Sequence, residues 1–239
     1  MKATVTLSAS AGIMLEYNGV KILSDILHHD IVPTFSSVPK HICNEILSPS
    51  EFSGAELFLV SHDHPDHFSR PLASEYMRRN RFTTAAAPLH FTEKEIIFSG
   101  AKGKFKTYNT QVEFFKTPHE KQKVYADVKH YSYIVTIGDA KFVFLNDTGL
   151  EDEYVESVLT KERVDIVFLN FPWVTLFHGR RLLKEYLNAK NAVIYHLPIP
   201  YEDDYNYNKA TIKALSNLEI DDVQFRIMST PLDREEFEI

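Results

Sequence analysis

The run Ser61-His62-Asp63-His64-Pro65-Asp66-His67 constrains this chain more than any other stretch. It follows the apolar segment Ala55 to Val60, which reads as a buried strand. It precedes a segment that reads as a helix, Pro71 to Arg79, with Ser69 at the N-cap. Three imidazoles and two carboxylates are costly to crowd at the mouth of a buried strand unless they are solvated, paired or bound to a cation. His62 and His64 are two residues apart, so in an extended chain they face the same side. Asp66 and His67 turn back at the start of the helix and place a second small ligand set beside the first. A solvated histidine-rich loop is the plain alternative, but isolated surface histidines do not account for this spacing directly after an apolar strand. The pattern predicts a site for two metal ions.

A chain of 239 residues is long enough to bury a substantial core, as one domain or two small ones, and 44% hydrophobic residues is an ordinary globular share. Net charge is −7 with no basic block to track a phosphate backbone, so no nucleic-acid partner is expected. The opening Met1-Lys2-Ala3-Thr4-Val5-Thr6-Leu7-Ser8 is too polar and too strand-like for a signal peptide. No apolar run approaches the ~20 residues of a transmembrane span. The single cysteine, Cys43, cannot close an internal disulfide, which fits a cytoplasmic location. With nothing cationic beside it in sequence, Cys43 reads as a buried or loop residue in preference to a reactive thiol.

In chain order, residues 2–8 and 12–17 read as strands. Asn18-Gly19 supplies the turn of a hairpin, and Val20 to Ser24 returns as a strand ending at Asp25. Residues 26–54 lack a clean period and read as a long loop with one short helix near His41 to Leu47, a segment suited to cover a site. His28 and His29 lie within it, with solvated loop histidines favoured over substrate contacts. Phe82 to Ala87 is expected as a strand, Phe91 to Phe98 as a short helix capped by Thr92, and Gly100 to Gly103 as a turn. Gln111 to Phe115 alternates as a strand leading to Thr117-Pro118-His119. Tyr131 to Ile137 and Lys141 to Leu145 read as a hairpin that runs into Asn146-Asp147-Thr148-Gly149. Glu151 to Arg163 has helical spacing and Val164 to Asn170 is a strand. Phe171-Pro172-Trp173 begins a loop whose aromatics either line a pocket or pack. A helix from His178 to Asn188 and a strand from Ala192 to Tyr195 then deliver His196. The acidic, aromatic stretch 201–207 reads as a solvated connection, Lys209 to Leu218 as a helix and Val223 to Met228 as a last strand.

The run at 62–67 has the His-x-His-x-Asp-His pattern, and the chain resembles the metallo-β-lactamase superfamily from about residue 3 to about residue 215. The resemblance implies an α+β fold, a four-layer αββα sandwich forming one domain over 1–239, with the site along one edge between two sheets. It implies that His62, His64 and His119 hold one ion, that Asp66, His67 and His196 hold the other, and that Asp147 bridges them. Asn146 stands where the superfamily usually has glycine, which leaves the carboxylate in place. Asp25, otherwise an ordinary turn former, matches an aspartate that lies behind the ligands and orients them. Within the superfamily, Ser-His-Asp-His-Pro-Asp-His-Phe looks closest to the branch of ascorbate-6-phosphate lactonases and N-acyl-phosphatidylethanolamine phospholipases, a closeness too loose to assign a substrate.

Nitrogen and oxygen donors without a thiolate favour zinc, with manganese or iron compatible. Two divalent ions would generate a bridging hydroxide to attack an ester, lactone or phosphodiester bond of a small substrate, with Asp66 ligating and orienting the nucleophile. No Gly-x-Ser-x-Gly elbow or phosphate-cradling glycine loop competes. A nuclease of the same superfamily, or a metal-binding sensor without turnover, is the alternative. His130, at the start of the strand whose hairpin partner ends near Asp147, rivals His119 as the third ligand of the first ion. His119 is favoured because a loop residue aims its ring more freely than one held in a ladder, and His130 then supports or packs.

Overall fold

A computed structural model describes residues 1–29, 35–120, 123–150 and 163–239. The chain opens with an antiparallel meander of β1 (Lys2–Leu7), β2 (Ile13–Tyr17) and β3 (Val20–Ser24). Asn18 and Gly19 both have positive φ, 50° and 75°, the geometry that lets a two-residue turn follow the natural strand twist. Three short parallel strands extend this sheet: β4 (Leu57–Leu59), β5 (Thr84–Ala87) and β6 (Ile96–Ile97). The crossovers carry α1 (Lys40–Leu47) and α2 (Arg70–Arg79), the latter entered through an extended Ser69 with Pro71 in its first turn.

The second sheet begins with an antiparallel run of β7 (Lys102–Lys106), β8 (Thr110–Lys116), β9 (Tyr131–Ile137) and β10 (Ala140–Phe144). It continues in parallel with β11 (Val164–Asn170), β12 (Ala189–Tyr195) and β13 (Gln224–Ile227). Its crossovers hold α3 (Pro172–Thr175), α4 (Phe177–Tyr186) and α5 (Tyr207–Ser216). The last strand, β14 (Arg234–Glu238), returns to pair with β1 in the first sheet. The sheet orders are β14-β1-β2-β3-β4-β5-β6 and β13-β12-β11-β10-β9-β8-β7.

Three apolar clusters show how these layers stack. One joins Leu15, Ile22 and Leu59 of the first sheet to Val135, Phe144 and Phe168 of the second. Another packs Leu23 and Phe58 against Ile42, Ile46 and Tyr76 of α1 and α2. The third packs Val167 and Ile194 against Trp173, Leu182 and Leu183 of α3 and α4. The result is an αββα sandwich in which each sheet buries both faces. This explains why β11 (Val164–Asn170) is apolar almost throughout rather than alternating. No helix among the described residues is long and apolar enough to cross a membrane.

The structure departs from expectation at several elements. Phe91 to Phe98 is not helical. Glu95 folds back onto the Thr92 amide (2.9 Å) and hydroxyl as a capping residue would, but no helix continues, because the β-branched Ile96–Ile97 pairs with Ala86 and Ala87 at the sheet edge. The expected turn at 100–103 ends earlier, since β7 already includes Gly103, whose missing side chain makes room for the Phe114 ring. Both β7 and β14 were unforeseen: each is mostly charged with a single large inward residue, Phe105 or Phe237. Phe171 to Trp173 enters α3, and the indole is wholly buried in the outer core, so Trp173 packs rather than lining a pocket. The helix expected over 151–163 lies outside the described residues apart from Arg163. Cys43 is buried, its thiol donating to the Val38 carbonyl (3.5 Å) and pushed up to about 11 by burial.

Strand direction decides where chemistry can collect. Parallel pairing makes β3 and β4 end together, and β10, β11 and β12 end together; β8 runs the same way as β10, because both are antiparallel to β9. The segments after β4, β8, β10 and β12 therefore leave at one edge of the sandwich. They carry His62 to His67, His119, Asp147 and His196.

Candidate metal centre

Three overlapping groups of donors form at that edge: His62, His64 and His119; His62, His67 and Asp147; and Asp66, His67 and His196. Within each group the donor atoms lie within 4.8 Å of one another. One carboxylate oxygen, Asp147 Oδ2, is 3.2 Å from His67 Nε2 and 3.5 Å from His119 Nε2, so it reaches both ends of the cluster. His196 Nε2 is 2.7 Å from His67 Nε2, 3.6 Å from Asp147 Oδ1 and 3.7 Å from Asp66 Oδ2. All seven side chains named in the ligand set are brought together.

Backbone geometry aims them. Asp25, Asn146 and His196 follow β3, β10 and β12 and have φ of 49°, 52° and 58°, the left-handed region that Asp, Asn and His tolerate best among non-glycine residues. Each reversal ends a ladder abruptly and places Asp25, Asp147 or His196 at the sheet edge. Partners from elsewhere hold the reversals: the Asp25 amide donates to Leu59 O (3.0 Å) and the His196 amide to Ser10 O (3.0 Å). The His119 loop is clamped onto the Asp147 turn by Glu120 N to Asp147 O and Gly149 N to Pro118 O, both 2.7 Å.

In His62, His67 and His119 the ring nitrogen turned away from the cluster is engaged. Asp25 Oδ2 meets His67 Nδ1 at 2.8 Å and accepts from Ser61 Oγ at 2.5 Å, while Oδ1 accepts the Ser61 amide at 2.8 Å. Ser61 Oγ in turn lies 2.9 Å from His62 Nδ1. His119 Nδ1 donates to Glu120 O at 2.6 Å, and Asn170 Nδ2 donates to Asp147 Oδ1 at 3.0 Å. Asp25 thus orients one histidine directly and a second through Ser61. His130 is placed differently: Nδ1 lies 2.9 Å from Thr117 Oγ1, and Nε2 accepts the Asp147 amide at 3.0 Å. Both ring nitrogens are used, so His130 supports the Asp147 turn and His119 is the ring that joins the donor groups.

Comparisons with known proteins agree with this geometry at the level of fold. No protein-family model matches the chain, and no curated protein sequence matches it. Solved structures do. Igni18, a metallo hydrolase from Ignicoccus hospitalis, is 17% identical with both chains covered in full and a TM-score of 0.67. The metallo-β-lactamase fold protein YhfI from Bacillus subtilis is 15% identical over 98% of this chain and 99% of its own, with a TM-score of 0.66. This chain has the metallo-β-lactamase fold. That fold also accommodates CmlA, a diiron β-hydroxylase from Streptomyces venezuelae, which is 10% identical over 99% of this chain and 54% of its own, with a TM-score of 0.62.

In this metallo-β-lactamase fold the electrostatics suit cations. Burial pushes His62 well below the usual imidazole range, with His67 and His130 adding repulsion, and burial likewise lowers His64 and His119. Burial opposes ionisation of Asp147, but His196 and His67 outweigh it and hold the carboxyl well below its usual value. Burial opposes protonation of His67 too, yet Asp147 and Asp25 prevail and raise it. His62, His64 and His119 are thus held neutral beside an ionised Asp147, the state in which such donors bind metal, and at His67 a cation would take the place of the proton. His62 Nε2 and His119 Nε2 are buried without a hydrogen-bond partner among the described residues, an arrangement that costs about 1–3 kcal/mol per group unless a cation takes the lone pair. The donors fit divalent metal.

Sequence reading missed several residues around this centre. Tyr125 packs its ring edge-on 4.8 Å from both His64 and His119, and Phe35 meets His196 at 4.4 Å. Both come from polar loops without periodicity, so nothing local marked them. Phe35 and the Ser36 hydroxyl, which accepts the Ile199 amide at 2.8 Å, show that the long loop after β3 covers the His196 side. His28 is fully buried, contrary to the solvated reading. Its Nε2 donates to Ala9 O (3.2 Å), and burial, then repulsion from His67, lowers it to about 3. His29 is exposed. In the 201–207 stretch Tyr201 and Tyr205 are exposed, and Asp203 caps α5 through the amides of Tyr207 (2.9 Å) and Asn208 (2.8 Å).

Proposed function

We propose that this protein is a metal-dependent hydrolase with a two-metal centre, cleaving an ester, lactone or phosphodiester bond of a small substrate. The observation that carries this reading is the shared reach of Asp147: one buried carboxylate lies beside both the His62, His64, His119 set and the Asp66, His67, His196 set. Each set would hold one divalent ion, with zinc favoured by the nitrogen and oxygen donors and manganese or iron compatible. When bound, such ions lower the pKa of water toward neutrality and polarise a carbonyl or phosphoryl oxygen.

The chain's own residues supply the rest. Asp25 and Ser61 keep the His62 and His67 rings from rotating, and Asn170 and His130 fix Asp147 by its side chain and its amide. Asp66 is almost buried and its carboxylate sits at the His196 end, positioned to accept a proton from the attacking water. Tyr125 and Phe35 flank the centre on opposite sides and limit access by bulk water. A net charge of −7 disfavours a polyanionic substrate, so a small molecule is the expected partner rather than nucleic acid.

The test is metal analysis of protein purified without chelator, followed by a hydrolysis panel of esters, lactones, thioesters and phosphodiesters. About two transition-metal ions per chain and chelator-sensitive turnover of one class are expected. A single tight ion with no second site on titration would overturn the two-metal reading. Two bound ions with no turnover across the panel would instead favour a metal-binding module.

A further inference from the structure

A cavity of about 480 Å³ opens beside the metal centre and is lined by none of its candidate ligands. Its walls come from three places: the exit of β5 and β6 (Pro88, Ile97, Phe98), the turn Ser99 to Ala101 that crosses between the sheets, and the facing ends of β8 and β9 (Lys116, Lys129, Tyr131). The edge strand β6 has only two residues, so the space between the sheets is not closed beyond it. The floor is apolar and rigid. Phe98 is buried and stacked on Phe114 at 4.6 Å, with the Tyr131 ring 5.4 Å away. Tyr131 also donates its hydroxyl to Gly100 O at 3.1 Å, which holds the turn at the rim.

The rim carries two exposed ammonium groups, Lys116 and Lys129, and among the described residues no acidic one lines the cavity. Among the described residues neither lysine is ion-paired. The two lysines give this apolar cavity a positive rim in a chain of net charge −7. The volume falls within the roughly 300–1,000 Å³ typical of small-molecule sites, which pair apolar walls with a few polar groups that fix orientation.

We propose that this cavity is a second binding site, one that takes an amphipathic anion: an aromatic or short aliphatic body seated on Phe98 and Tyr131, with a single carboxylate, sulfonate or phosphate group held between Lys116 and Lys129. The occupant would rest on the residues that support the metal centre. Tyr131 N donates to Ser61 O (3.1 Å), and Lys129 and Lys116 directly precede His130 and Thr117, which bond each other behind Asp147.

The probe is 8-anilinonaphthalene-1-sulfonate, with its uncharged counterpart N-phenyl-1-naphthylamine as the control, titrated by fluorescence against the metal-loaded protein and again after chelation. The sulfonate is expected to bind at one saturable site per chain, with the same affinity in both preparations. Lys116→Gln/Lys129→Gln should weaken it at least about fivefold, while the uncharged probe changes less than about twofold. Ala101→Trp, or Ser99→Trp should that variant fail to fold, should abolish binding of both probes. No saturable binding would overturn the proposal. So would sulfonate binding indifferent to the lysines or to the tryptophan, which would place the probe elsewhere, as at the exposed Phe177 and Tyr201.

Discussion

Replacing Asn146 by glycine restores the residue that the resemblance leads one to expect and is predicted to destabilise this protein. The φ of 52° favours glycine, but the asparagine side chain is employed: Nδ2 donates to Tyr131 O at 3.0 Å, and Oδ1 accepts the Tyr195 hydroxyl at 3.1 Å. All three residues are buried. Asn146→Gly deletes both bonds and strands the Tyr195 hydroxyl, at about 1–3 kcal/mol for a buried unsatisfied group. The second bond adds about 1 kcal/mol. Relief of left-handed strain is about 1 kcal/mol and is largely offset by the extra freedom glycine has when unfolded. The expected loss is about 2–4 kcal/mol. Asn146→Ala should lose about as much, because it keeps the strain but is spared the extra unfolded freedom of glycine. The assay is equilibrium urea unfolding of chelator-treated protein, since bound metal would add stability by mass action. With a slope of about 3 kcal/mol per M, the glycine variant's midpoint should fall by about 1 M. A glycine variant that unfolds at or above the wild-type midpoint would refute the bridging role of the side chain.

Other residues give separable outcomes. Asp66→Asn should lower turnover by about a hundredfold or more while leaving the far-ultraviolet spectrum and unfolding midpoint near wild type; unchanged turnover would remove Asp66 from the chemistry. His119→Ala should cost metal occupancy by elemental analysis. His130→Ala should retain both ions yet lose about 2–4 kcal/mol of stability, because it strands the Asp147 amide and Thr117; the reverse pattern would exchange their roles. For His28, the folded pKa of about 3 lies below the ordinary 6.5, so its contribution is present above 6.5 and is lost as pH falls toward 3. Facing it are His67, Asp66 and His196, and between pH 7 and pH 5 the loss should be about 2 kcal/mol, reduced in His28→Gln. Parallel pH profiles for wild type and variant would count against that assignment. Finally, RNA or DNA should show no binding that weakens steeply with salt, and a gel-shift titration that finds it would return the nuclease reading to first place.

Much of the centre is legible in the sequence because its donors are chemically improbable where they stand. Histidine and aspartate directly after apolar strands must be solvated, paired or metal-bound. Many strands are equally visible, through period-two spacing, unbroken apolar runs such as Val164 to Asn170, or the Asn18-Gly19 turn. Legibility fails where an element draws its stability from a distant neighbour. β7 and β14 each present one large inward residue and form because a partner strand satisfies their backbone, and Ile96–Ile97 abandons a locally capped turn for the same reason. Tyr125, Phe35 and Asn170 reach the centre from positions that no short-range pattern distinguishes.

The amino-acid sequence by itself determined which atoms were available to bind metal and that the chain would alternate strands with helices, since donor chemistry and hydrophobic period are local properties. Only the tertiary structure decided how they are used. Parallel crossovers and the antiparallel run from β8 to β10 brought four separate strand ends to one edge, left-handed turns at Asp25, Asn146 and His196 redirected the chain there, and burial together with neighbouring charges selected the protonation of the donors. The choice between His119 and His130 illustrates the difference. Both are histidines near the same sheet edge, and what separates them is that Thr117 and the Asp147 amide, distant in sequence from each other, close around both nitrogens of one ring and leave Nε2 of the other facing the cluster.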